Sequence, residues 1–277
     1  MSTRLRSRWL AAGLGLGLGV TACSFTPAPA GGAGADAADG LDAGSVDAVA
    51  GADADDRVRP DAPPVDACGA DPTLHACLSF DGYPLGPAPT VMVDASSHLR
   101  SVTTTSATLE AGADGSPALR IGTSTEVRLD AGPSTLLADA TIELWARIDG
   151  DVGLDQRYGL IDSQGAFGLF YLDNGGNRRW RCAIGAGLAT PATAGRWTHV
   201  ACVCSGGVLR MYVDGAATGT STCTGVDLGG TMVIGGDETG GGAVAERLDG
   251  VLDLIQLWSR ARTDQELCAA AHVGTCP

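Results

Sequence analysis

Eight of the nine cysteines fall between Cys68 and Cys276, and this constrains the fold more than any other feature of the 277-residue chain. They are Cys68, Cys77, Cys182, Cys202, Cys204, Cys223, Cys268 and Cys276. An even set of thiols at irregular spacings points to an oxidising compartment and a cystine-braced domain. Eight cysteines allow roughly a hundred connectivities, and local geometry narrows them. Cys68 and Cys77 bracket a short Pro-containing loop, and Cys268 and Cys276 bracket the chain end. Cys182 and Cys202 are expected on successive antiparallel strands. The hairpin expected at Asp214-Gly215 carries Cys223 back towards Cys204. A metal or redox reading of Cys202-Val203-Cys204 fails, because no second C-x-C and no nearby His pair completes a tetrahedral set.

The N-terminus supplies the compartment. Arg4, Arg6 and Arg8 precede an apolar stretch, Leu10 to Val20, with the order and length of a secretory signal. It is too short and too rich in glycine for a membrane span, which needs about 18 apolar residues or more. Its G-x-G-x-G run follows no strand and is not a nucleotide loop. Val20-Thr21-Ala22-Cys23 resembles a bacterial lipobox. That resemblance implies a signal peptide over residues 1–22, cleavage before Cys23 and acylation of the Cys23 thiol. Each buried CH2 of the attached lipid contributes roughly 0.8 kcal/mol, so two or more chains anchor stably. By the same resemblance, Ser24 after the cysteine favours the outer membrane.

Residues 23–67 have a different texture. After Cys23 the stretch is almost entirely Ala, Gly, Asp, Pro, Val and Ser, and no aromatic occurs between Phe25 and Phe80. Such a segment buries too little apolar surface to offset its chain entropy, so it reads as a disordered, self-repelling spacer. Its aspartates follow no EF-hand spacing. The whole chain carries a formal charge of -14, and all its basic residues are arginine. Nucleic-acid binding is excluded as a reading, since it needs clustered positive charge.

From residue 68 to residue 277 the pattern is that of one all-β domain. Thr141 to Ile148 alternates, placing Ile142, Leu144, Ala146 and Ile148 on one face and Glu143, Trp145 and Arg147 on the other. Strands are also expected over 168–172, 178–184, 197–204, 208–213, 231–234 and 251–258, separated by turn signals such as Asp173-Asn174-Gly175-Gly176-Asn177. Thr263-Asp264-Gln265-Glu266 is a capping box and predicts a short C-terminal helix. The whole reads as an antiparallel β-sandwich.

The segments W-T-H-V-A at 197–201 and L-R-M-Y-V-D-G at 209–215 resemble the laminin-G-like, concanavalin A-like jelly roll. Residues 74–82 are similar to that family's opening strand, 93–98 to a turn, and 248–262 to its closing strand. The resemblance covers about 74–267 and implies two packed antiparallel sheets with loops at the rim. It departs from the pattern where cysteines occupy strand positions that are usually aliphatic or aromatic.

Catalytic motifs are missing from the sequence. The laminarinase-like branch of this fold places its acids on one strand as E-x-D-x-E, and no such run occurs here. Glu143 stands alone among apolar residues, and Asp249 and Asp253 are too far apart for a pair. G-x-S-x-G and H-E-x-x-H are absent, and His75, His98, His199 and His272 are scattered. The resemblance points to Asp94 and Asp253 as calcium ligands, against a reading of Asp94 as a turn cap. Arg178, Arg179 and Arg181 form the densest positive spot; they suit an acidic glycan, or they are a solvated strand that discourages edge pairing. Trp145 is either a sugar platform or a core residue. The expected function is a non-catalytic, membrane-anchored binding module of the cell envelope, recognising a carbohydrate or a surface protein, with no required cofactor beyond possible calcium. A structural envelope component and a polysaccharide hydrolase are the alternatives.

Overall fold

The computed structural model describes residues 68–239, 242–271 and 276. The expected signal peptide (residues 1–22), Cys23, the expected spacer and His272 lie outside the described residues. No helix among the described residues is long and apolar enough to cross a membrane.

The chain runs through β1 (Leu74–Leu78), β2 (Gly86–Pro87), β3 (Val91–Val93), β4 (Ser101–Thr105), β5 (Thr108–Ala111), β6 (Pro117–Ile121) and β7 (Glu126–Asp130). It continues with β8 (Leu136–Leu137), β9 (Ala140–Ile148), β10 (Arg157–Ser163), β11 (Phe167–Asn174), β12 (Asn177–Ala183), β13 (Leu188–Pro191) and β14 (Trp197–Ser205). The last elements are β15 (Val208–Val213), β16 (Ala216–Thr222), β17 (Val226–Asp227), β18 (Thr231–Ile234), β19 (Asp237–Glu238), β20 (Val244–Ala245), β21 (Gly250–Trp258) and α1 (Asp264–Ala270). One sheet has the order β16-β15-β14-β9-β21-β6-β5-β2, with β1 also paired to β21. The second has the order β13-β12-β11-β10-β18-β7-β4-β3. Both are antiparallel, and the fold is the expected β-sandwich.

Period-two alternation builds the core. Ile142, Leu144, Ala146 and Ile148 of β9 meet Leu169 and Tyr171 of β11 and Trp180 of β12 in one buried apolar cluster. Tyr171 and Trp180 pack edge-on at 5.0 Å between ring centroids. The turn signals fold as their chemistry requires: Asp214 and Gly215 take φ of 48° and 74°, the left-handed pair of a type I′ hairpin. The capping box closes, with the Glu266 N–H donating to Thr263 Oγ1 at 3.2 Å and the Thr263 N–H donating to Glu266 Oε2 at 2.7 Å.

Four disulfides form: Cys68–Cys77, Cys182–Cys202, Cys204–Cys223 and Cys268–Cys276. These are the pairs that local geometry favours, but Cys182–Cys202 forms for a different reason. Its cysteines do not sit on neighbouring strands. β12 belongs to the second sheet and β14 to the first, so the bond crosses the core and ties the two layers together.

Candidate functional site

The outer face of the second sheet carries a cluster of interacting charges centred on Arg157. Since Leu169, Tyr171, Trp180 and Cys182 point inward, Gly168, Phe170, Leu172, Arg179 and Arg181 point outward. On β10 the outward residues include Arg157, opposite Leu172, and Asp162, opposite Gly168. The β19–β20 hairpin runs along this face and brings Asp237 and the adjoining Glu246 to Arg157. Two glycines permit the arrangement. A Cβ on Gly159 would lie 2.0 Å from the Gly236 carbonyl oxygen, so only glycine lets the hairpin approach β10. A Cβ on Gly168 would strike the Phe170 ring and approach Asp162 Oδ1 to 3.2 Å, so glycine leaves space beside that carboxylate.

Arg157 is the hub. Its Nε donates to Glu246 and its Nη2 donates to Asp237. Its guanidinium carbon stands 4.5 Å from the Phe170 ring centroid, a cation–π contact that holds the fork flat over the sheet. Asp162 is buried and accepts the Glu238 backbone N–H at Oδ2, 3.1 Å away. Burial pushes the Asp162 carboxyl up to about 6; Asp237, its hydrogen-bonded neighbour, adds to the rise, while Glu238 N–H and Arg157 oppose it. Burial also raises Glu246, assisted by Asp237 and opposed by Arg157.

Two hollows meet at Arg157. One, of 470 Å³, is bordered by Asp162, Gln164, Gly168, Phe170, Thr224 and Asp237. The other, of 380 Å³, is bordered by Asp155, Asp173, Asn174, Arg181 and Glu246. A third hollow of 290 Å³, beside Leu78, Phe80, Tyr83 and Met92, has no charged lining residue. The Arg157 group offers carboxylate acceptors and guanidinium donors side by side, the complement of hydroxyl pairs.

The structure separates the three arginines singled out in the sequence. Arg178 faces the core side at the sheet rim, where it donates to the Val152 carbonyl at 2.6 Å, to Asp173 at 2.8 Å and to Asp151. Asp173 is in turn held below the usual carboxylate range by the Gly176 N–H, then by the Asp155 N–H and Arg178. Arg179 lies half-buried on the outer face, and only Arg181 reaches a hollow, among carboxylates. The three make no joint positive patch.

Asp94 is buried and filled by N–H donors. Oδ1 accepts from Ser96 at 2.8 Å and Cys77 at 3.2 Å, and Oδ2 accepts from Arg100. This is turn capping. Asp253 is also buried and accepts the Leu254 N–H at 2.7 Å. Among the described residues, no group of three or more His, Cys, Asp and Glu is arranged for a metal ion. The carboxylate lone pairs that calcium would require at Asp94 already face N–H groups, so that residue does not fit the ion.

The sequence reading missed a second charged cluster, on the outer face of the first sheet. Glu143 is 1% exposed. Its Oε1 accepts from Trp258 Nε1 at 2.6 Å and from Arg262, and its Oε2 lies 3.2 Å from His199 Nε2. Trp145 packs against His199 with its ring tilted, 5.4 Å between centroids, and is buried there, not on a sugar-facing surface. Burial raises the Glu143 carboxyl, but His199 and Arg262 outweigh it and hold the group below its usual range. The signal was present: pairing W-T-H-V-A with T-I-E-L-W sets Ala201 opposite Glu143, which puts His199 on the diagonal. His75 and His98 also come together, with rings 5.8 Å apart.

Two antiparallel sheets with an intersheet core and charged outer faces define a lectin-like sandwich. The chain belongs to the concanavalin A-like lectin/glucanases superfamily, whose laminin-G-type family model matches residues 121–268. No curated protein matches it in sequence. Among solved structures it is similar to domain 4 of AbnA, a GH43 extracellular arabinanase from Geobacillus stearothermophilus, in complex with arabinotriose. The TM-score is 0.52 at 17% identity, over 72% of this chain and 98% of that one. It is also similar to the binding domain of Paraclostridial Mosquitocidal Protein 1, with TM-score 0.54 at 15% identity, over 72% of this chain and 52% of that one. The binding domain of botulinum neurotoxin DC in complex with SialylT gives TM-score 0.54 at 11% identity, over 72% and 51%. The chain thus spans about half the length of these toxin domains. At such identities the likeness is one of fold.

Proposed function

We propose that this protein is a non-catalytic carbohydrate-binding module, displayed on the cell envelope by lipid on Cys23 through the 23–67 spacer. The observation that carries the binding half is the outer-face cleft, where Asp162, Asp237, Glu246 and Arg157 surround open space on a rigid sheet. The fold shared with domain 4 of AbnA, solved in complex with arabinotriose, supports it; of the botulinum neurotoxin DC binding domain, solved in complex with SialylT, the chain spans about half. The four disulfides mark an oxidised, exported domain, and the lipobox supports the anchor. The lack of an E-x-D-x-E run on any strand supports binding over hydrolysis.

A glycan array probed with the full chain tests the binding half: capture of at least one oligosaccharide is expected, and release of reducing sugar from a bound polysaccharide contradicts the non-catalytic assignment. Fractionation of Cys23→Ser tests the anchor. The variant is expected in the soluble fraction, and unchanged membrane association refutes lipidation.

A further inference from the structure

The two hollows that meet at Arg157 have an unequal charge. Asp155, Asp162, Asp173, Asp237 and Glu246 face Arg157 and Arg181. Arg157 is not a free fork: Nε holds Glu246, Nη2 holds Asp237, and its face rests on Phe170. A bidentate grip on an incoming carboxylate or sulfate would have to displace one of those carboxylates. Arg181 shares its hollow with Asp155, Asp173 and Glu246, so a second anion there meets like charge at short range. The remaining chemistry is suited to hydroxyls. Carboxylate oxygens accept from O–H groups, and Arg157 retains N–H donors. Gln164 and Thr224 at the rim add an amide and a hydroxyl.

We infer that the cleft takes an uncharged sugar ring, binding its adjacent hydroxyls through Asp162, Asp237 and Arg157, and rejects sugars bearing carboxylate or sulfate. This reading rests on the carbohydrate-binding function proposed above and narrows it to one ligand class. It reverses the acidic-glycan expectation attached to Arg178, Arg179 and Arg181.

The full chain is titrated with arabinotriose, cellotriose and mannotriose, and in parallel with sialyllactose, trigalacturonate and a sulfated galactan. Measurable binding to at least one uncharged glycan is expected, with every acidic glycan at least tenfold weaker. Asp237→Asn is expected to weaken the uncharged ligand at least tenfold. Thr224→Trp leaves every charge in place and fills the rim from an exposed position, so it should abolish binding even if Asp237→Asn fails to fold. Preference for acidic glycans overturns this inference while leaving the carbohydrate-binding function standing. So does binding of an uncharged glycan that survives Thr224→Trp. Silence on both sets overturns both.

Discussion

Each sheet places a carboxylate–guanidinium cluster on its outer face, but the two clusters have different surroundings. Over the first sheet, Trp258, Arg262 and the C-terminal helix seal Glu143, whose two oxygens are taken by indole, guanidinium and imidazole. Over the second, the β19–β20 hairpin leaves hollows beside Asp162, and that carboxyl keeps a proton up to about pH 6. A buried charge with every lone pair matched acts as a lock, because breaking it strands a partner. A charge cluster left partly matched beside open space is suited to ligand exchange.

Glu143→Gln is the strongest attack on this contrast. It leaves Arg262 without its buried counter-charge and should cost about 3–5 kcal/mol, read as a lower midpoint in denaturant. A variant as stable as the parent would show that the sealed cluster is no lock. Next in size, Cys182→Ala with Cys202→Ala removes the tie between the sheets and should cost about 2–4 kcal/mol, without changing the far-ultraviolet circular dichroism.

The two clusters also respond oppositely to pH. Asp162 has its folded value raised to about 6 from an unfolded 3.8, so the folded state holds the extra proton between those values. Its contribution to stability therefore falls as pH rises through that window and is level above it. The groups facing Asp162 are Asp237, Arg157 and the Glu238 N–H. Asp162→Asn should flatten melting temperature between pH 4 and 6; an unchanged slope counts against the raised Asp162 carboxyl. Glu143 is held below its usual value, so its contribution is present above about pH 4.5 and is lost as pH falls below that. Smallest of all, Thr263→Ala removes the helix cap and should cost about 1 kcal/mol, which a careful melt resolves. No change would mean the helix does not help seal the first sheet.

Much of the sandwich was legible. The alternation of 141–148 set the inner face of β9, and the D-G and capping-box signals fixed a hairpin and a helix. The strands between Ser101 and Asp130 gave weaker signals, because β4 and β5 are short and rich in Thr and their alternation rests on Val102, Thr104 and Leu109. The proposed binding cleft was not legible. Its parts come from β10, β11 and a hairpin some 80 residues further on (Arg157 and Asp237 are separated by 80), and no local motif spans that gap. The sequence therefore drew attention to Arg178, Arg179 and Arg181, which are dense in one dimension but divided between faces by the strand's period of two.

The most direct test of the account is hydrogen exchange of the full chain with and without the uncharged oligosaccharide that binds best. Slowed exchange should be confined to residues 157–170 and to the backbone flanking Asp237 and Glu246. Protection that appears instead around Glu143 and Trp258, or beside Tyr83 and Met92, would place the sugar elsewhere and contradict the account.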